Sequence, residues 1–197
     1  DTMGTKPPGL FTPDDSAELA MMICTAGHVD HGKTELVKLL TGCRTDRLQT
    51  EQERGLTIEL GFAPCLLQGT TYVGIVDVPG HDKFIRTMVT GVSGIDLCVL
   101  VIACDDGIMP QTVEHVQIME LLGMRCGIVA LTKTDLVAPE KVDHVADEVR
   151  SFLKGSFLEG TDICPVSSKT GAGAGRFYTA LTGRIQEVEK RTSFGVF

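Results

Sequence analysis

The sequence predicts an α/β fold. We expect a doubly wound, mostly parallel sheet of six strands, with one antiparallel strand at its edge and helices on both faces. Short apolar runs alternate with helix-like segments along most of the chain. The run at 96–103 is nearly all apolar, as expected for a central parallel strand that is covered on both sides. Two strand-like runs are separated only by Gly69-Thr70, which indicates a hairpin.

The elements follow from these patterns in order. Strands are predicted at 20–26, 60–68, 71–76, 96–103, 126–132 and 162–166. Helices are predicted at 33–41, 82–92, 110–122, 139–153 and 175–190. Residues 1–20 lack this alternation, and we interpret them as an extension or as residues foreign to the natural protein. We expect residues 21–192 to form one GTP-binding domain and residues 193–197 to begin a linker to further domains.

Composition limits the classes of protein that remain. The chain has 197 residues, 43% of them hydrophobic, and no apolar run long enough to span a membrane. Its net charge of −8 makes the domain alone a poor binder of nucleic acid. The seven cysteines form no CxxC pair. Buried free thiols are therefore favoured over disulfides or a zinc site, which indicates a reducing, cytoplasmic location.

A glycine-rich segment between the first strand and the first helix fits the pattern GxxxxGK[ST]. Its backbone N–H groups can surround phosphates, and the following helix adds its positive end. Lys33 supplies a charge to the β- and γ-phosphates, while the Thr34 hydroxyl can ligate Mg²⁺. The predicted phosphate-binding residues are Gly27, His28, Val29, Asp30, His31, Gly32, Lys33, Thr34, Glu35 and Gly80.

A second segment, Asp77-Val78-Pro79-Gly80, ends the third strand. A carboxylate at the carboxyl end of a strand can hold Mg²⁺ through water, and the Gly80 amide can face the γ-phosphate. On its own this segment would be an ordinary Pro-Gly turn. Its position on a strand that neighbours the phosphate loop favours the metal site.

Two further strand ends carry residues suited to guanine. Asp135 can accept the N1 and N2 protons of guanine, a donor pair that adenine lacks. The stem of Lys133 can lie along the base, and Ser167-Ser168-Lys169 can present a backbone N–H to the guanine carbonyl. Thr132 precedes these residues and completes the predicted guanine site. Together the four elements predict binding of GTP and GDP rather than of ATP.

The motifs resemble those of the translational GTPases. The resemblance rests on Gly27–Thr34, on Asp77-Val-Pro-Gly-His81 and on Arg54-Gly-Leu-Thr-Ile58. It implies that Thr57 joins Thr34 and Asp77 around Mg²⁺ and that His81 positions the attacking water.

The same resemblance implies that Val29 and Leu56 form an apolar gate, which keeps His81 away from the nucleotide until a ribosome contacts the domain. Hydrolysis would then be slow alone, with room for a monovalent cation near Asp30. The family pattern has Asn at the position of Thr132, so guanine affinity is expected to be somewhat lower.

Longer strings are similar to the selenocysteine-specific elongation factors. They are Thr45–Leu48, Glu53–Ala63 and Val101–Thr112. This resemblance implies a monomeric cytoplasmic factor that delivers selenocysteyl-tRNA to the ribosome at UGA codons. Selenocysteyl-tRNA and an mRNA hairpin would bind through domains outside this chain. An elongation factor Tu-like or initiation factor gamma-like domain is the alternative, and a non-ribosomal P-loop NTPase is a distant third.

The remaining polar residues have simpler interpretations. His28 and His31 are expected to pack at the start of the helix rather than to bind a metal, since no ligand has matching spacing. His115 and His144 are expected to be solvated on their helices. The pair Asp105-Asp106 is interpreted as an exposed turn or cap.

Overall fold

The apolar runs of the sequence become the strands of one sheet. The computed structural model describes residues 21–42, 61–67, 71–77 and 94–193. The strands are β1 Met21–Ala26, β2 Gly61–Leu67, β3 Thr71–Asp77, β4 Leu97–Ala103, β5 Gly127–Thr132 and β6 Ile163–Pro165. The helices are α1 Lys33–Thr41, α2 Pro110–Leu121, α3 Pro139–Phe152 and α4 Ala174–Ser193, and Thr134–Leu136 form a 3₁₀ turn.

The sheet has the order β2-β3-β1-β4-β5-β6. Strands β3, β1, β4, β5 and β6 run parallel to one another, while β2 pairs antiparallel with β3 at one edge. The strand order reverses beside β1, and in open α/β sheets ligands bind outside the carboxyl ends of strands at such a point. The topology therefore places a candidate site at the loop that follows β1.

The central strands are apolar throughout because helices cover both of their faces. Every residue of β4 and β5 is buried. On one face α1 and α4 pack on the sheet through Leu36, Val37, Phe177, Leu181 and Ile185. On the other face α2 and α3 pack through Val116, Met119, Val145, Ala146 and Val149. Two cores of this kind hold the strand ends rigidly in place.

The ends of the helices follow local sequence signals. Pro110 and Pro139 occupy the first turns of α2 and α3, where the missing N–H has no helical partner to lose. The hydroxyl of Thr112 accepts a hydrogen bond from the Met109 amide at 3.4 Å. At the C-terminal end of α1, the Gly42 amide donates a hydrogen bond to the Lys38 carbonyl at 2.8 Å, and Gly42 has a left-handed φ of 71°. With these signals, the helices begin and end near the positions that the sequence predicts.

The predicted α/β fold with helices on both faces is confirmed. The bounds of the observed strands and helices lie within a few residues of those predicted. The helix predicted at 82–92 and the turn predicted at Gly69-Thr70 lie outside the described residues. Within the described ranges, no helix combines the length and the apolar character that crossing a membrane requires. Six of the seven cysteines are described, and all six are buried thiols, as predicted.

Candidate nucleotide-binding site

Parallel pairing brings four predicted segments to one edge of the sheet. The phosphate loop follows β1, Asp77 ends β3, Lys133 follows β5, and Ser167 follows β6. Ala26 pairs with Leu100 in β4, and Ala103 at the end of β4 pairs with Thr132. The loop after β4, which contains Asp105 and Asp106, therefore lies between the phosphate loop and residues 132–135, which are predicted to bind guanine and are called the base-reading segment below.

The phosphate loop begins at a position that only glycine can occupy. Gly27 has a φ of 136°, and a Cβ atom there would lie 2.1 Å from the carbonyl oxygen of Val101 in β4. Such a distance is well inside van der Waals contact. The loop thus starts in direct backbone contact with the central strand, and the first glycine of the motif has a structural reason as well as a phosphate-binding one.

Lys33 lies inside the curve of this loop. Its Nζ donates hydrogen bonds to the carbonyl oxygens of Gly27 at 3.0 Å and His28 at 2.8 Å. The side chain is buried, which lowers the pKa of Lys33 to about 8, while Asp77 and Asp30 oppose that shift. A phosphate group would meet a positive charge that is already aimed across the loop.

Helix α2 holds the phosphate loop from behind. The Gly27 amide donates to Nδ1 of His115 at 3.0 Å, and the Val29 amide donates to Oε1 of Gln111 at 3.2 Å. Gln111 and His115 are one turn apart on α2, so both face the same surface. His115 is 3% exposed, and burial, with help from the Lys33 charge, lowers its pKa to about 3. The ring is therefore neutral, as an acceptor at Nδ1 must be.

Asp77 connects two threonines at the buried end of β3. Thr25 in β1 donates to Oδ1 of Asp77 at 2.8 Å, and the Thr34 hydroxyl donates to Oδ2 at 2.6 Å. Asp77 itself is fully buried. A carboxylate and a hydroxyl side by side are hard oxygen donors of the kind that Mg²⁺ prefers, with substrate phosphates and waters as its other ligands. The predicted pair Thr34 and Asp77 therefore fits a magnesium site.

Thr132 joins the phosphate loop to the base-reading segment. It is 2% exposed, and its hydroxyl donates to the carbonyl oxygen of His31 at 2.6 Å, with Ile102 O a longer 3.4 Å away. The ring of His31 is buried against His28, with centroids 5.1 Å apart. Burial of the ring lowers the pKa of His31 to about 4, and electrostatic repulsion from the neighbouring His28 adds to this shift. The interpretation of these two histidines as packing residues fits this geometry.

The residues predicted to bind guanine include a more exposed one, Asp135. The Ser167 hydroxyl donates to Oδ1 of Asp135 at 2.6 Å, and this bond holds the pKa of the Asp135 carboxyl below its usual value. Asp135 is exposed, whereas Ser167 is fully buried. Ser168 and Lys169 follow in the same loop, and Oγ of Ser168 is buried with no hydrogen-bond partner among the described residues. An ionised Asp135 is what acceptance of two guanine protons requires.

Other predicted site residues lie outside the described part of the chain. They are the catalytic candidate His81, the metal candidate Thr57, the gate residue Leu56 and the phosphate contact Gly80. Of the gate, the structure describes only Val29. Glu35 lies in the first turn of α1, and Asp30 has a left-handed φ of 62° in the phosphate loop.

Two contacts differ from expectation or were missed. The prediction that His115 is solvated is wrong, because α2 turns it into the core beside Gly27. Gln111 carried no functional prediction, and a local pattern could not reveal it, since its partner lies 82 residues earlier.

Two other interpretations of polar residues agree with the structure. His144 is exposed on α3 as predicted, 3.4 Å from Glu148. Asp105 and Asp106 lie exposed in a turn, as predicted, and Asp105 also pairs with Lys133.

The fold and this site match a known family over most of the chain. The family model described as "Elongation factor Tu GTP binding domain" matches residues 18–187. The chain belongs to this family of translational GTPases, and membership implies that it binds and hydrolyses GTP.

Within that family, the chain is similar to selenocysteine-specific elongation factors. It is 57% identical over 155 residues to the "Selenocysteine-specific elongation factor" of Desulfomicrobium baculatum, which covers 79% of this chain and 24% of that relative. The resemblance drawn from the strings around Asp46 and Gly61 is confirmed. The chain thus spans about a quarter of the length of this curated relative.

Solved structures agree with this assignment. A crystal structure of a bacterial selenocysteine-specific elongation factor aligns with a TM-score of 0.79 and 39% identity, covering 85% of this chain and 29% of that one. The elongation factor SelB of Methanococcus maripaludis, in complex with the GTP analogue GPPNHP, aligns with a TM-score of 0.72 and 30% identity. That alignment covers 84% of this chain and 34% of the SelB chain.

Proposed function

We propose that this chain is the GTP-binding and GTP-hydrolysing domain of an elongation factor that delivers selenocysteyl-tRNA to the ribosome. The observation that carries the proposal is the pairing of Asp135 with Ser167 on the sheet edge that also presents Lys33. One end of this edge suits a guanine base and the other end suits phosphates.

Asp135 reads the base in this proposal. Its carboxylate accepts the N1 and N2 protons of guanine, and the Ser167 hydroxyl fixes its orientation. The stem of Lys133 lies along the base plane, and the backbone after Ser167 faces the guanine carbonyl through Ser168 and Lys169. Thr132 supports this site from below, since its hydroxyl is already bonded to His31 O.

The phosphates bind in the loop that contains Lys33. Gly27 to Glu35 surround them, and Lys33 neutralises charge on the β- and γ-phosphates. The Thr34 hydroxyl, Thr57 and, through water, Asp77 would hold Mg²⁺, which would supply further positive charge there. A monovalent cation near Asp30 would add to it, and the Gly80 amide faces the γ-phosphate.

Hydrolysis depends on His81 in this proposal. His81 orients the attacking water. Val29 and Leu56 keep His81 away from the nucleotide until the ribosome contacts the domain. Turnover is therefore slow alone and stimulated by ribosomes. Replacing His81 by Ala should abolish ribosome-stimulated hydrolysis and leave GDP affinity intact; unchanged stimulation would contradict this role.

In the whole factor, which we expect to be monomeric and cytoplasmic, other domains bind selenocysteyl-tRNA and an mRNA hairpin. The high identity to the D. baculatum relative supports this assignment over an elongation factor Tu-like or initiation factor gamma-like carrier. The full-length protein should bind selenocysteyl-tRNA more tightly than seryl-tRNA. Equal affinity for the two would contradict the selenocysteine assignment.

Calorimetry with GDP, GTP and ATP in the presence of Mg²⁺ tests the nucleotide assignment directly. We expect saturable binding of GDP and GTP and none of ATP at the same concentrations. Asp135→Asn should weaken GDP binding by about a hundredfold, because an amide N–H replaces one acceptor oxygen.

The control is Asp143→Asn, which removes the same charge from an exposed position of α3 and should bind GDP like the unchanged chain. The same Asp135→Asn variant should bind xanthosine diphosphate, whose C2 carbonyl accepts from the new amide. Equal binding of ATP and GDP by the unchanged chain would contradict the guanine assignment.

A further inference from the structure

The turn after β4 places two carboxylates beside Lys133. Nζ of Lys133 lies 3.1 Å from Oδ2 of Asp105 and 3.7 Å from Oδ2 of Asp106. The Lys133 side chain is 27% exposed, and those of Asp105 and Asp106 are 32% and 46% exposed. Lys133 is the residue whose stem would lie along the guanine base. Because of these two ion pairs, its charged end is fixed before any nucleotide binds.

The backbone of Lys133 is also constrained. Its φ of 56° is left-handed, which is unusual for a residue with a long side chain. Its carbonyl accepts a hydrogen bond from the Leu136 amide at 3.0 Å, at the start of the 3₁₀ turn that carries Asp135. The backbone and the ammonium group of Lys133 are therefore both fixed by contacts within the domain.

Asp106 extends the same cluster toward the phosphate loop. Its Oδ2 also lies 3.7 Å from Nε2 of His31, and the His31 carbonyl accepts from Thr132. Thr132 directly precedes Lys133 in the chain. The carboxylate pair thus lies at the junction of the base-reading and phosphate-binding halves.

We propose that Asp105, supported by Asp106, is a positioning residue that holds Lys133 extended for stacking on the nucleotide base. This inference rests on the proposed guanine site. A free lysine side chain samples many rotamers, and ordering it on binding would weaken affinity. The ion pair removes that disorder in the empty domain, so the stem meets the base in a ready conformation.

A purely electrostatic effect of the two aspartates predicts the opposite result. Negative charge near a nucleotide diphosphate repels it, so removing a carboxylate would tighten binding. A purely structural role predicts little change at all, because partly exposed ion pairs contribute little to stability. The direction of the change in GDP affinity therefore separates positioning from both alternatives.

The test is Asp105→Asn in the full chain, measured by GDP calorimetry and by competition with inorganic pyrophosphate. Asparagine keeps Oδ1, which accepts from the Asp106 amide, and replaces Oδ2, the partner of Lys133, by a neutral amide nitrogen. We expect GDP affinity to fall about threefold to fivefold, the size typical of a partly exposed ion pair. Pyrophosphate affinity should not change, since pyrophosphate has no base. Asp106→Asn should show a smaller loss, because its oxygen lies farther from Nζ.

A double-mutant cycle with Lys133→Met completes the test. In that background Asp105→Asn should have no further effect on GDP binding, since the partner charge is gone. The control is Asp147→Asn, whose carboxylate pairs with Arg150 on α3 and whose loss should leave GDP affinity unchanged.

Tighter or unaltered GDP binding by Asp105→Asn would overturn the inference. So would an equal loss of affinity for GDP and pyrophosphate, or a loss that persists in the Lys133→Met background. Failure of the unchanged chain to bind GDP would overturn the proposed function and this inference with it.

Discussion

The two halves of the nucleotide site are built differently. The phosphate half is part of the core: Lys33 is 6% exposed, His115 3%, and Asp77 fully buried. The base half lies at the surface, where Asp135 is exposed and Lys133 is held by partly exposed aspartates. Thr132 is the buried residue at which the two halves meet.

The difference indicates how each half tolerates change. In the phosphate half, polar groups are buried with few spare partners, so altering one removes a hydrogen bond that water cannot replace. At the exposed Asp135 and the partly exposed Lys133 of the base half, solvent can compensate. Substitutions should therefore lower the free energy of unfolding in the phosphate half and alter nucleotide binding alone at these two residues.

The largest effect on stability is expected for Gly27→Ala. The new Cβ would lie 2.1 Å from Val101 O, at a φ that alanine rarely adopts, so the loop must move away from β4. We expect a loss of more than about 3 kcal/mol in the free energy of unfolding, measured by urea denaturation.

Gly42→Ala is the matched control for this prediction. Gly42 also has a left-handed φ, of 71°, but no heavy atom lies within 4 Å of the position that a Cβ atom would take there. We expect a loss of about 1 kcal/mol, from the backbone alone. Equal losses in the two variants would show that contact with β4 does not constrain the phosphate loop.

An intermediate effect is expected at His115. His115→Leu leaves the buried Gly27 amide without an acceptor, and we expect a loss of about 1–3 kcal/mol in unfolding free energy. His115→Asn offers Oδ1 near the position of Nδ1 and should recover part of that loss. If leucine and asparagine were equally destabilising, the hydrogen bond to Gly27 would have no measurable role.

The pH dependence of stability gives a second readout for His115. Its folded pKa of about 3 lies below the unfolded value of 6.5, so the unfolded chain binds the proton more readily. Stability is then full above pH 6.5 and falls as the pH decreases toward 3. By pH 5 this residue should lower the unfolding free energy by about 2 kcal/mol. His115→Asn should lack this share of the acid sensitivity.

The smallest effect is expected at Thr132. Thr132→Val keeps the shape but leaves His31 O without its donor, and we expect a loss of about 1 kcal/mol. Thr132→Ser keeps the hydroxyl and should retain most of the stability and the GDP affinity. If valine changed GDP affinity without any change in unfolding free energy, Thr132 would act on the base rather than as a link to the loop.

Much of this molecule could be predicted from the sequence because its signals are local. The apolar runs of β4 and β5 and the glycine-rich loop are each read within about ten residues. The carboxyl ends of parallel strands then bring Lys33, Asp77 and Asp135 to one edge without further information. Any fold with this strand order would do the same.

What the sequence did not predict depends on distant partners. His115 and Gln111 lie among polar residues on α2 and resemble a solvated face, yet their partners are Gly27 and Val29. The pairing of Lys133 with Asp105 spans 28 residues and joins the segments that follow β4 and β5. No periodicity encodes such contacts, since they depend on the packing of helices and turns against the sheet.

The hydrogen bonds within the phosphate loop have a consequence for the heat and entropy of nucleotide binding. A segment that folds only around its ligand gives association a large unfavourable entropy and a marked negative heat-capacity change. Here Lys33 already donates to Gly27 O and His28 O, and α2 already holds the Gly27 and Val29 amides. The conformational entropy of this loop is therefore lost when the domain folds, and a diphosphate group would enter a loop whose shape changes little on binding.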